Sequence, residues 1–189
     1  PKAALSSAGE AFREVPFSKK ESSWPRFSVV VCSYNGSRTI RDCLEGLSRL
    51  DYPNFEVIIV NDGSKDKTGE IVDEFSAKFG YRVISTVNRG LSNARNTGME
   101  AATGEFVAYT DDDARPDPHW LYYLAYEFMN STHAAIGGPN IPPPGDGLIA
   151  ECVANAPGGP AHVLVTDRTA EHIPGCNMAF RKISLRANE

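Results

Sequence analysis

The sequence of 189 residues has few cysteines, no excess of basic charge and no long apolar run. Its four cysteines, at positions 32, 43, 152 and 176, form no C-x-x-C pair, which argues against a zinc site or a disulfide framework. We expect them to be reduced and mostly buried. The net charge of −5 argues against a nucleic-acid-binding protein. No apolar stretch approaches the roughly 18 residues of a membrane span, so no transmembrane segment is predicted.

Three motifs of well-known nucleotide-binding and hydrolytic folds are also missing. No G-x-G-x-x-G follows the first apolar run, which argues against a dinucleotide-binding domain. The absence of G-x-x-x-x-G-K-[ST] excludes a P-loop, and the absence of G-x-S-x-G excludes the nucleophile elbow of a serine hydrolase. If phosphates bind to this chain, a metal ion rather than a glycine-rich loop has to hold them.

Short β-branched runs alternate with helical patterns along the first 130 residues. The runs that predict strands are Phe27–Cys32, Phe55–Val60, Arg82–Thr86 and Phe106–Thr110. The patterns that predict helices are Thr39–Leu50, Thr68–Phe79, Leu91–Ala102 and Trp120–Met129. Because the strands lack polar alternation, we expect both of their faces to be covered, as in a parallel sheet. The predicted fold class is α/β, with a mostly parallel central sheet flanked by helices.

The composition divides the chain into three parts. Residues 1–25 are polar and irregular, which predicts an extension or linker, and residues 26–189 form the domain. Within that domain, residues 26–138 make up the α/β part. Residues 139–189 are rich in proline and glycine, which favours long loops over the sheet rather than another layer. Since the chain starts at Pro1 without an initiator methionine, we expect it to be a piece of a longer protein.

Three polar clusters follow predicted strands: Ser33-Tyr34-Asn35, Asn61-Asp62-Gly63-Ser64 and Asp111-Asp112-Asp113. In an open α/β sheet, ligands bind outside the carboxyl ends of the strands, so these clusters should share one edge. Each cluster taken alone could also be a solvated turn. Three adjacent carboxylates repel one another, however, and a divalent cation relieves that repulsion. Without Cys or His ligands nearby, Mg²⁺ or Mn²⁺ is favoured over zinc.

The order of these blocks resembles the family 2 glycosyltransferases, which have the GT-A fold. The resemblance is carried by residues 29–35, 56–66, 88–98, 101–106 and 173–181, in that order along the chain. Asp111-Asp112-Asp113 matches the Asp-x-Asp metal motif of that family. The match runs over residues 27–183 and is therefore more specific than any single motif.

The resemblance assigns donor binding to Ser33, Tyr34, Asn35, Asp62, Arg95, Asp111 and Asp112. It implies that Tyr34 lies against the nucleotide base and that Asp62 accepts a hydrogen bond from a base imide such as that of uracil. Arg95 would add a charged donor near the same base. Asp111 would approach the ribose, and Asp113, together with Asp111, would ligate the Mn²⁺ or Mg²⁺ ion that bridges the diphosphate.

Asp112 occupies the variable middle position of the motif. The activity implied is that of an inverting glycosyltransferase, in which an acceptor hydroxyl attacks the anomeric carbon of a nucleotide-diphosphate sugar. A UDP-sugar is the favoured donor, and the acceptor would be a carbohydrate or lipid in polysaccharide or glycolipid synthesis. The family supplies its catalytic base after the block that ends in residues 180–182, so we expect the base beyond Glu189 and the chain to be C-terminally truncated. The expected location is the cytoplasm, or the cytoplasmic face of a membrane as part of a longer protein.

Two other classes of protein remain as alternatives. A receiver-type signalling domain also clusters aspartates around Mg²⁺, but its acidic pair follows the first strand, where this chain has Ser33-Tyr34-Asn35. A non-catalytic GT-A-like module that binds nucleotide sugars without turnover is also compatible with the sequence. Phosphoryl transfer would identify the first alternative, and binding without turnover would identify the second.

Overall fold

The structure, a computed structural model, describes residues 24–140, 152 and 173–186. The elements with described bounds are, in chain order, β1 Phe27–Ser33, α1 Ile40–Leu47, β2 Phe55–Asp62, α2 Thr68–Phe79, β3 Arg82–Thr86, α3 Leu91–Ala101, β4 Phe106–Asp111, α4 Trp120–Asn130, β5 Ala135–Gly137, β6 Met178–Arg181 and α5 Lys182–Arg186. None of the helices in this described part of the chain is long and apolar enough to cross a membrane.

The six strands form one sheet in the order β3-β2-β1-β4-β6-β5. β1 pairs in parallel with β2 on one side and with β4 on the other, and β3 continues in parallel beside β2. The predicted α/β fold with a mostly parallel central sheet and flanking helices is thereby confirmed. Because β1, β2 and β4 run in the same direction, their carboxyl ends lie at one edge of the sheet.

Three of the predicted strands continue into the polar residues that follow them. β1 ends at Ser33, β2 at Asp62 and β4 at Asp111, so these side chains are held by the ladder of the sheet rather than by a free loop. Helix α1 is shorter than the predicted Thr39–Leu50. Its last predicted turn is replaced by tighter backbone hydrogen bonds, one of them from Leu50 N to Leu47 O at 3.2 Å.

Within residues 139–189, where long loops rather than another layer are predicted, residues 173–181 (the late block) contribute a strand to the same sheet. Residues Met178–Arg181 form β6, which pairs antiparallel with β4 and joins β5 to the sheet. A four-residue strand shows too little periodicity to be recognised in a stretch punctuated by glycine and proline. The other parts of this region, residues 141–151, 153–172 and 187–189, lie outside the described residues, as do residues 1–23.

Aromatic rings fill the core on one face of the sheet. The rings of Phe106 and Phe128 are stacked with centroids 4.2 Å apart, and Phe27 packs against Phe106 at 5.2 Å. The guanidinium of Arg181 lies over Phe106 and Phe128, at 5.3 and 5.2 Å from the ring centroids. Arg181 also donates hydrogen bonds to the carbonyls of Phe128 and Ser131 at the end of α4. The guanidinium of Arg181 thus connects β6 to the core rings and to the C-terminus of α4.

Helix α3 covers the opposite face of the sheet. It approaches closely because Gly98 has no side chain, and a Cβ there would overlap the side chain of Val30. Ala94 of the same helix is also buried. Trp24, which lies within the predicted extension 1–25, is only 7% exposed and packs against Tyr52 in the core of the first face. The domain therefore begins at or before Trp24.

All four cysteines are free thiols, as expected, but only Cys43 is fully buried. Cys32 and Cys176 are partly exposed, and Cys152 is exposed, so the expectation of mostly buried thiols was wrong. Burial raises the pKa of Cys43 to about 12, and burial likewise raises the pKa of Cys32 to about 12 against the opposing charge of Arg95. These two thiols are consequently protonated at neutral pH and unreactive.

A hydrogen-bonded cluster joins three segments at the amino end of the sheet, away from the polar clusters. Ser28 Oγ donates to Glu56 Oε1 at 2.6 Å, and Thr103 donates to the same oxygen through its backbone N at 2.8 Å and its hydroxyl at 2.6 Å. Ser28 Oγ in turn accepts from Gly104 N at 2.8 Å. Burial raises the pKa of Glu56, but the hydrogen bonds from Ser28 and Thr103 outweigh it and leave the pKa below its ordinary value.

We expect Glu56 to stabilise the protein at neutral pH and to stop doing so in acid. Because its folded-state pKa is lowered, its contribution is present above the unfolded-state pKa of about 4.3 and is lost as the pH falls through the folded-state pKa. Urea unfolding should show Glu56→Gln to be less stable than the parent by about 1 kcal/mol at pH 7, with a smaller difference at pH 3. The exposed Glu100→Gln is the control. Equal differences for Glu56→Gln at both pH values would contradict the prediction.

Candidate active site

The carboxyl edge of the sheet brings the three polar clusters together. Ser33 pairs with Asn61 across β1 and β2, and Cys32 pairs with Asp111 across β1 and β4. Asp62 pairs with Thr86 of β3 on the far side. The common edge expected from the sequence is thus present. Residues 61–64 (the Asp62 cluster) and residues 111–113 (the acidic cluster) lie on opposite sides of β1.

Hydrogen bonds of Asn35 connect the loop after β1 to the loop after β2. This residue has a positive φ of 54°, which asparagine tolerates better than most side chains. Its Oδ1 accepts a hydrogen bond from Lys65 N at 2.8 Å, and its backbone N donates to Ser64 Oγ at 3.0 Å. Asn35 is exposed although both of these hydrogen bonds hold it, and the neighbouring Tyr34 is 52% exposed at the rim of the edge.

Asp66 makes a second connection between the loop after β1 and the segment that leads into α2. It was not identified from the sequence. Its Oδ2 accepts a hydrogen bond from Ser37 N at 3.1 Å, and its Oδ1 accepts from Thr68 N at 3.0 Å and from Thr68 Oγ1. Hydrogen bonds from Thr68 and Ser37 hold the pKa of Asp66 well below its ordinary value. The Asp-x-Thr spacing at a helix start was the signal that could have identified it.

Asp62 is 3% exposed and organises the loop between β3 and α3. Its Oδ1 accepts hydrogen bonds from Thr86 Oγ1 at 3.1 Å and from Arg89 N at 3.0 Å, and its Oδ2 accepts from Gly90 N at 2.9 Å. A cavity of about 290 Å³ adjoins this carboxylate; it is lined by Asp62, Thr86, Val87, Arg89, Asn93, Ala94 and Thr97. Arg89 N also donates to Oδ2 of Asp62 at 3.3 Å, so the three donors make four contacts with the carboxylate and engage both of its oxygens.

Arg95 reaches from α3 to the end of β4. Its Nη2 lies 3.2 Å from Asp111 Oδ1, with the two side chains 25% and 39% exposed. The same Nη2 donates to the carbonyl of Gly175 at 3.4 Å, and a Cβ at Gly175 would press on the guanidinium. Arg95 therefore connects the acidic cluster to the late block, a contact that the sequence did not predict.

The remaining two aspartates of the acidic cluster point in different directions. Asp112 is partly buried, and its Oδ2 accepts a hydrogen bond from Ser33 Oγ. Burial raises the pKa of Asp112, and the hydrogen bond from Ser33 opposes this rise. Asp113 is exposed. Of the expected donor-binding residues, Ser33 and Asp112 are thus engaged with each other.

Asp111 and Asp113 are the candidate ligands for a divalent cation at this edge of the sheet. Among the described residues, no group of three or more His, Cys, Asp or Glu side chains is arranged to hold a metal ion. Mg²⁺, however, is commonly held by one or two carboxylates together with substrate phosphates rather than by a cage of protein ligands. One exposed and one half-exposed carboxylate at the sheet edge fit that manner of binding.

The late block is anchored beside the acidic cluster by Asn177. Its Oδ1 accepts a hydrogen bond from Trp120 Nε1 at 2.8 Å, and its Nδ2 donates to Pro139 O at 3.1 Å. Because Trp120 begins the helix that follows the acidic cluster, Asn177 links that helix to the segment before β6. This role requires three segments distant in sequence, so sequence reasoning did not find it.

Comparison with known proteins identifies related sequences. Residues 28–187 match the family model described as glycosyl transferase family 2. The chain is 37% identical over 117 residues to the poly-β-1,6-N-acetyl-D-glucosamine synthase of Staphylococcus epidermidis, a match that covers 60% of this chain and 28% of that protein. It is 41% identical over 90 residues to glycosyltransferase GlyA of Streptococcus pneumoniae, covering 47% of this chain and 13% of that protein. The matched part is therefore less than a third of either relative.

Solved structures with the same fold bind nucleotide sugars. TarS 1-349 of S. aureus in complex with UDP-GlcNAc superimposes with a TM-score of 0.69 at 24% identity, over 86% of this chain and 47% of that one. The mannosyltransferase PcManGT of Pyrobaculum calidifontis, in complex with GDP-Man and Mn²⁺, gives a TM-score of 0.68 at 24% identity, over 99% and 54%. At this level of identity the likeness shows the shared fold.

Proposed function

The chain belongs to glycosyl transferase family 2 and has the GT-A fold, and on that premise we propose that it binds a UDP-sugar with Mn²⁺ or Mg²⁺ and transfers the sugar, with inversion, to a hydroxyl of a carbohydrate or lipid acceptor. The observation that carries the proposal is the placement of the Asp62 cavity and of the Asp111 and Asp113 carboxylates along one sheet edge. In this proposal the Asp62 cavity belongs to the base-binding end of the site, and the two carboxylates belong to its phosphate-binding end.

The base end consists of Tyr34 and Asp62. The exposed Tyr34 ring offers a face on which a base can stack, a contact worth about 1–3 kcal/mol in nucleic-acid-binding proteins. The anionic acceptor of Asp62 suits a base with a ring N–H on its pairing edge, which uracil and guanine have. Cytosine and adenine instead have a ring acceptor nitrogen there, which the carboxylate would repel. The complexes of TarS with UDP-GlcNAc and of PcManGT with GDP-Man support this choice of bases.

The phosphate end consists of Asp111, Asp113 and Arg95. The resemblance placed Arg95 near the base, and we reassign it because its Nη2 lies 3.2 Å from Asp111 Oδ1. Arg95 holds Oδ1 of Asp111, so we assign Oδ2 to the ribose or the cation, and the exposed Asp113 carboxylate is assigned to the cation. A bound divalent cation would supply Lewis-acid stabilisation of the charge that develops on the departing diphosphate. Inverting transfer also requires a carboxylate base for the acceptor hydroxyl. Its expected position beyond Glu189 stays a prediction, as do the acceptor and the cellular location.

We predict a nucleotide preference that follows from the acceptor chemistry of Asp62. With Mn²⁺ present, UDP should stabilise the protein most, GDP should follow, and CDP and ADP should have little effect. UDP at about 100 times its dissociation constant should raise the free energy of unfolding by about 2.7 kcal/mol, and addition of EDTA should abolish the rise. Thermal unfolding of the full chain with the four nucleotides measures both effects.

Two results would contradict this prediction. Equal stabilisation by UDP and CDP would remove Asp62 from base recognition, and equal stabilisation with and without EDTA would remove the cation from the site. Transfer itself is tested by the release of UDP from UDP-sugars with and without added acceptors. Binding without release by this chain is also expected if the base lies beyond Glu189. Binding without release would favour the non-catalytic nucleotide-sugar module only when the segment that carries the base is present.

A further inference from the structure

The middle residue of the acidic cluster makes a contact that spans the edge. Ser33 ends β1 and is 3% exposed, and its hydroxyl donates to Asp112 Oδ2 just beyond the end of β4. The two residues are 79 positions apart in sequence. The hydrogen bond therefore joins the loop that carries Tyr34 to the cluster that contains Asp113.

Gly36 and the start of α1 pack around this contact. Gly36 lies directly against it, and a Cβ at Gly36 would overlap both Asp112 Oδ2 and Ser33 Oγ. The carbonyl of Gly36 accepts hydrogen bonds from Thr39 N and Ile40 N, each at 3.0 Å, where α1 begins. The loop of residues 34–36 is thus held between the Asp112 side chain on one side and the start of α1 on the other.

The three side chains of the acidic cluster have different surroundings, which indicates different roles. Asp111 is paired with Arg95 at the surface of the edge, Asp112 turns inward to Ser33, and Asp113 is exposed. Asp112 and Asp113 are the central residues of a turn closed by a hydrogen bond from Ala114 N to Asp111 O at 3.1 Å, so their side chains leave the backbone in different directions. Because Oδ2 of Asp112 already accepts the buried Ser33 hydroxyl, this oxygen is not free for a ligand at the rim.

We propose that Asp112 is a positioning residue that acts through Ser33, fixing the distance between the Tyr34 loop and the Asp113 carboxylate rather than contacting the donor. This inference rests on the proposed nucleotide binding at the same edge. It assigns to the variable position of the motif a role that depends on this chain's own Ser33 and Gly36. The distance between the base end and the phosphate end of the site is then fixed before a ligand binds.

The experiment is a double-mutant cycle on binding of UDP in the presence of Mn²⁺, measured by calorimetry. Ser33→Ala and Asp112→Ala should each raise the Kd about tenfold, and the double variant should be no weaker than either single variant, because both remove the same contact. Asp112→Asn keeps an acceptor oxygen for Ser33 and should stay within about threefold of the parent Kd. Gly36→Ala should match the alanine variants by displacing Asp112.

Urea unfolding without ligand provides a second readout of the same cycle. The shifts in the unfolding midpoint should be non-additive for Ser33→Ala and Asp112→Ala, which tests the contact independently of binding. Asp73→Ala, an exposed carboxylate on α2, is the matched control and should change neither readout. A parent chain that binds none of the nucleotides with Mn²⁺ would overturn the proposed function and this inference together.

Other outcomes overturn the inference alone. If the parent binds UDP and Asp112→Asn loses as much affinity as Asp113→Ala, Asp112 contacts the cation directly. If the losses of Ser33→Ala and Asp112→Ala add in the double variant, the two residues act separately. Non-additive losses with rescue by Asp112→Asn support the positioning role.

Discussion

Replacement of Asp113 by alanine is expected to weaken the Mn²⁺-dependent binding of UDP by at least about 100-fold while the fold stays intact. Loss of groups that only orient a metal ligand already costs about 10–100-fold in metal affinity, and Asp113 is proposed to be a ligand itself. In the absence of metal, removing one member of a repelling carboxylate cluster should leave the unfolding midpoint unchanged or raise it slightly. Calorimetry of UDP binding and urea unfolding of the metal-free protein measure the two effects.

The control for this change is Asp73→Ala, which removes the same group from an exposed position of α2. Unchanged UDP affinity in Asp113→Ala would place the metal site elsewhere or show that no metal is needed. A large fall in the stability of the metal-free protein would show instead that Asp113 has a structural role. Loss of binding with an unchanged unfolding midpoint is the result that assigns it to the cation.

The parallel part of the fold could be predicted because its sequence signal is strong. Strands such as residues 29–31 of β1 are fully buried on both faces, and a strand in that environment has to be continuously apolar. The connecting helices are regular enough to show their own period, and α2 was predicted with its observed bounds, Thr68–Phe79. The alternation of these two signals was sufficient to place the polar clusters at one edge.

The antiparallel part of the sheet could not be predicted in the same way. β5 has three residues and β6 has four, and their positions depend on pairing with β4 and with each other. Arg181 illustrates the difficulty, because its side chain is partly buried against Phe106 and Phe128 although arginine usually marks a surface position. Contacts of this kind come from tertiary structure, which no local pattern encodes.

For the candidate site, the sequence indicated which residues meet but not which direction they face. Ser33, Asp112 and Asp62 all lie at the predicted edge, yet each is engaged by groups of the protein itself. The resemblance separated Asp113 from the variable position Asp112, but the contact of Asp112 with Ser33 became visible only in the packing of the Tyr34 loop. The backbone donors on Asp62 belong to residues 89 and 90, which the resemblance matched without assigning them a contact, so this structural role of Asp62 was missed.

The second large effect is expected for Asp62→Asn, which changes charge without changing size. The amide places an NH₂ group where one carboxylate oxygen now accepts from Arg89 N or Gly90 N, so at least one hydrogen bond to a charged acceptor is lost. Hydrogen bonds to charged groups contribute about 1.5–3 kcal/mol each, and we expect the free energy of unfolding to fall by about 2–4 kcal/mol. Affinity for UDP should fall at least tenfold, because the loop that lines the cavity loses its anchor and the base loses a charged acceptor.

The matched control is Thr86→Val, which removes one hydroxyl donor from Asp62 and leaves both backbone donors in place. It should lower the free energy of unfolding by about 1 kcal/mol. Because Thr86 also lines the cavity, the UDP affinity should fall, but by less than in Asp62→Asn. Urea unfolding separates the two variants in the absence of ligand, and calorimetry separates them in its presence. If Asp62→Asn unfolds like the parent, the backbone contacts of residues 89–90 do not stabilise the loop. If its stability falls but its UDP affinity does not, Asp62 supports the loop alone and the base is bound by other groups.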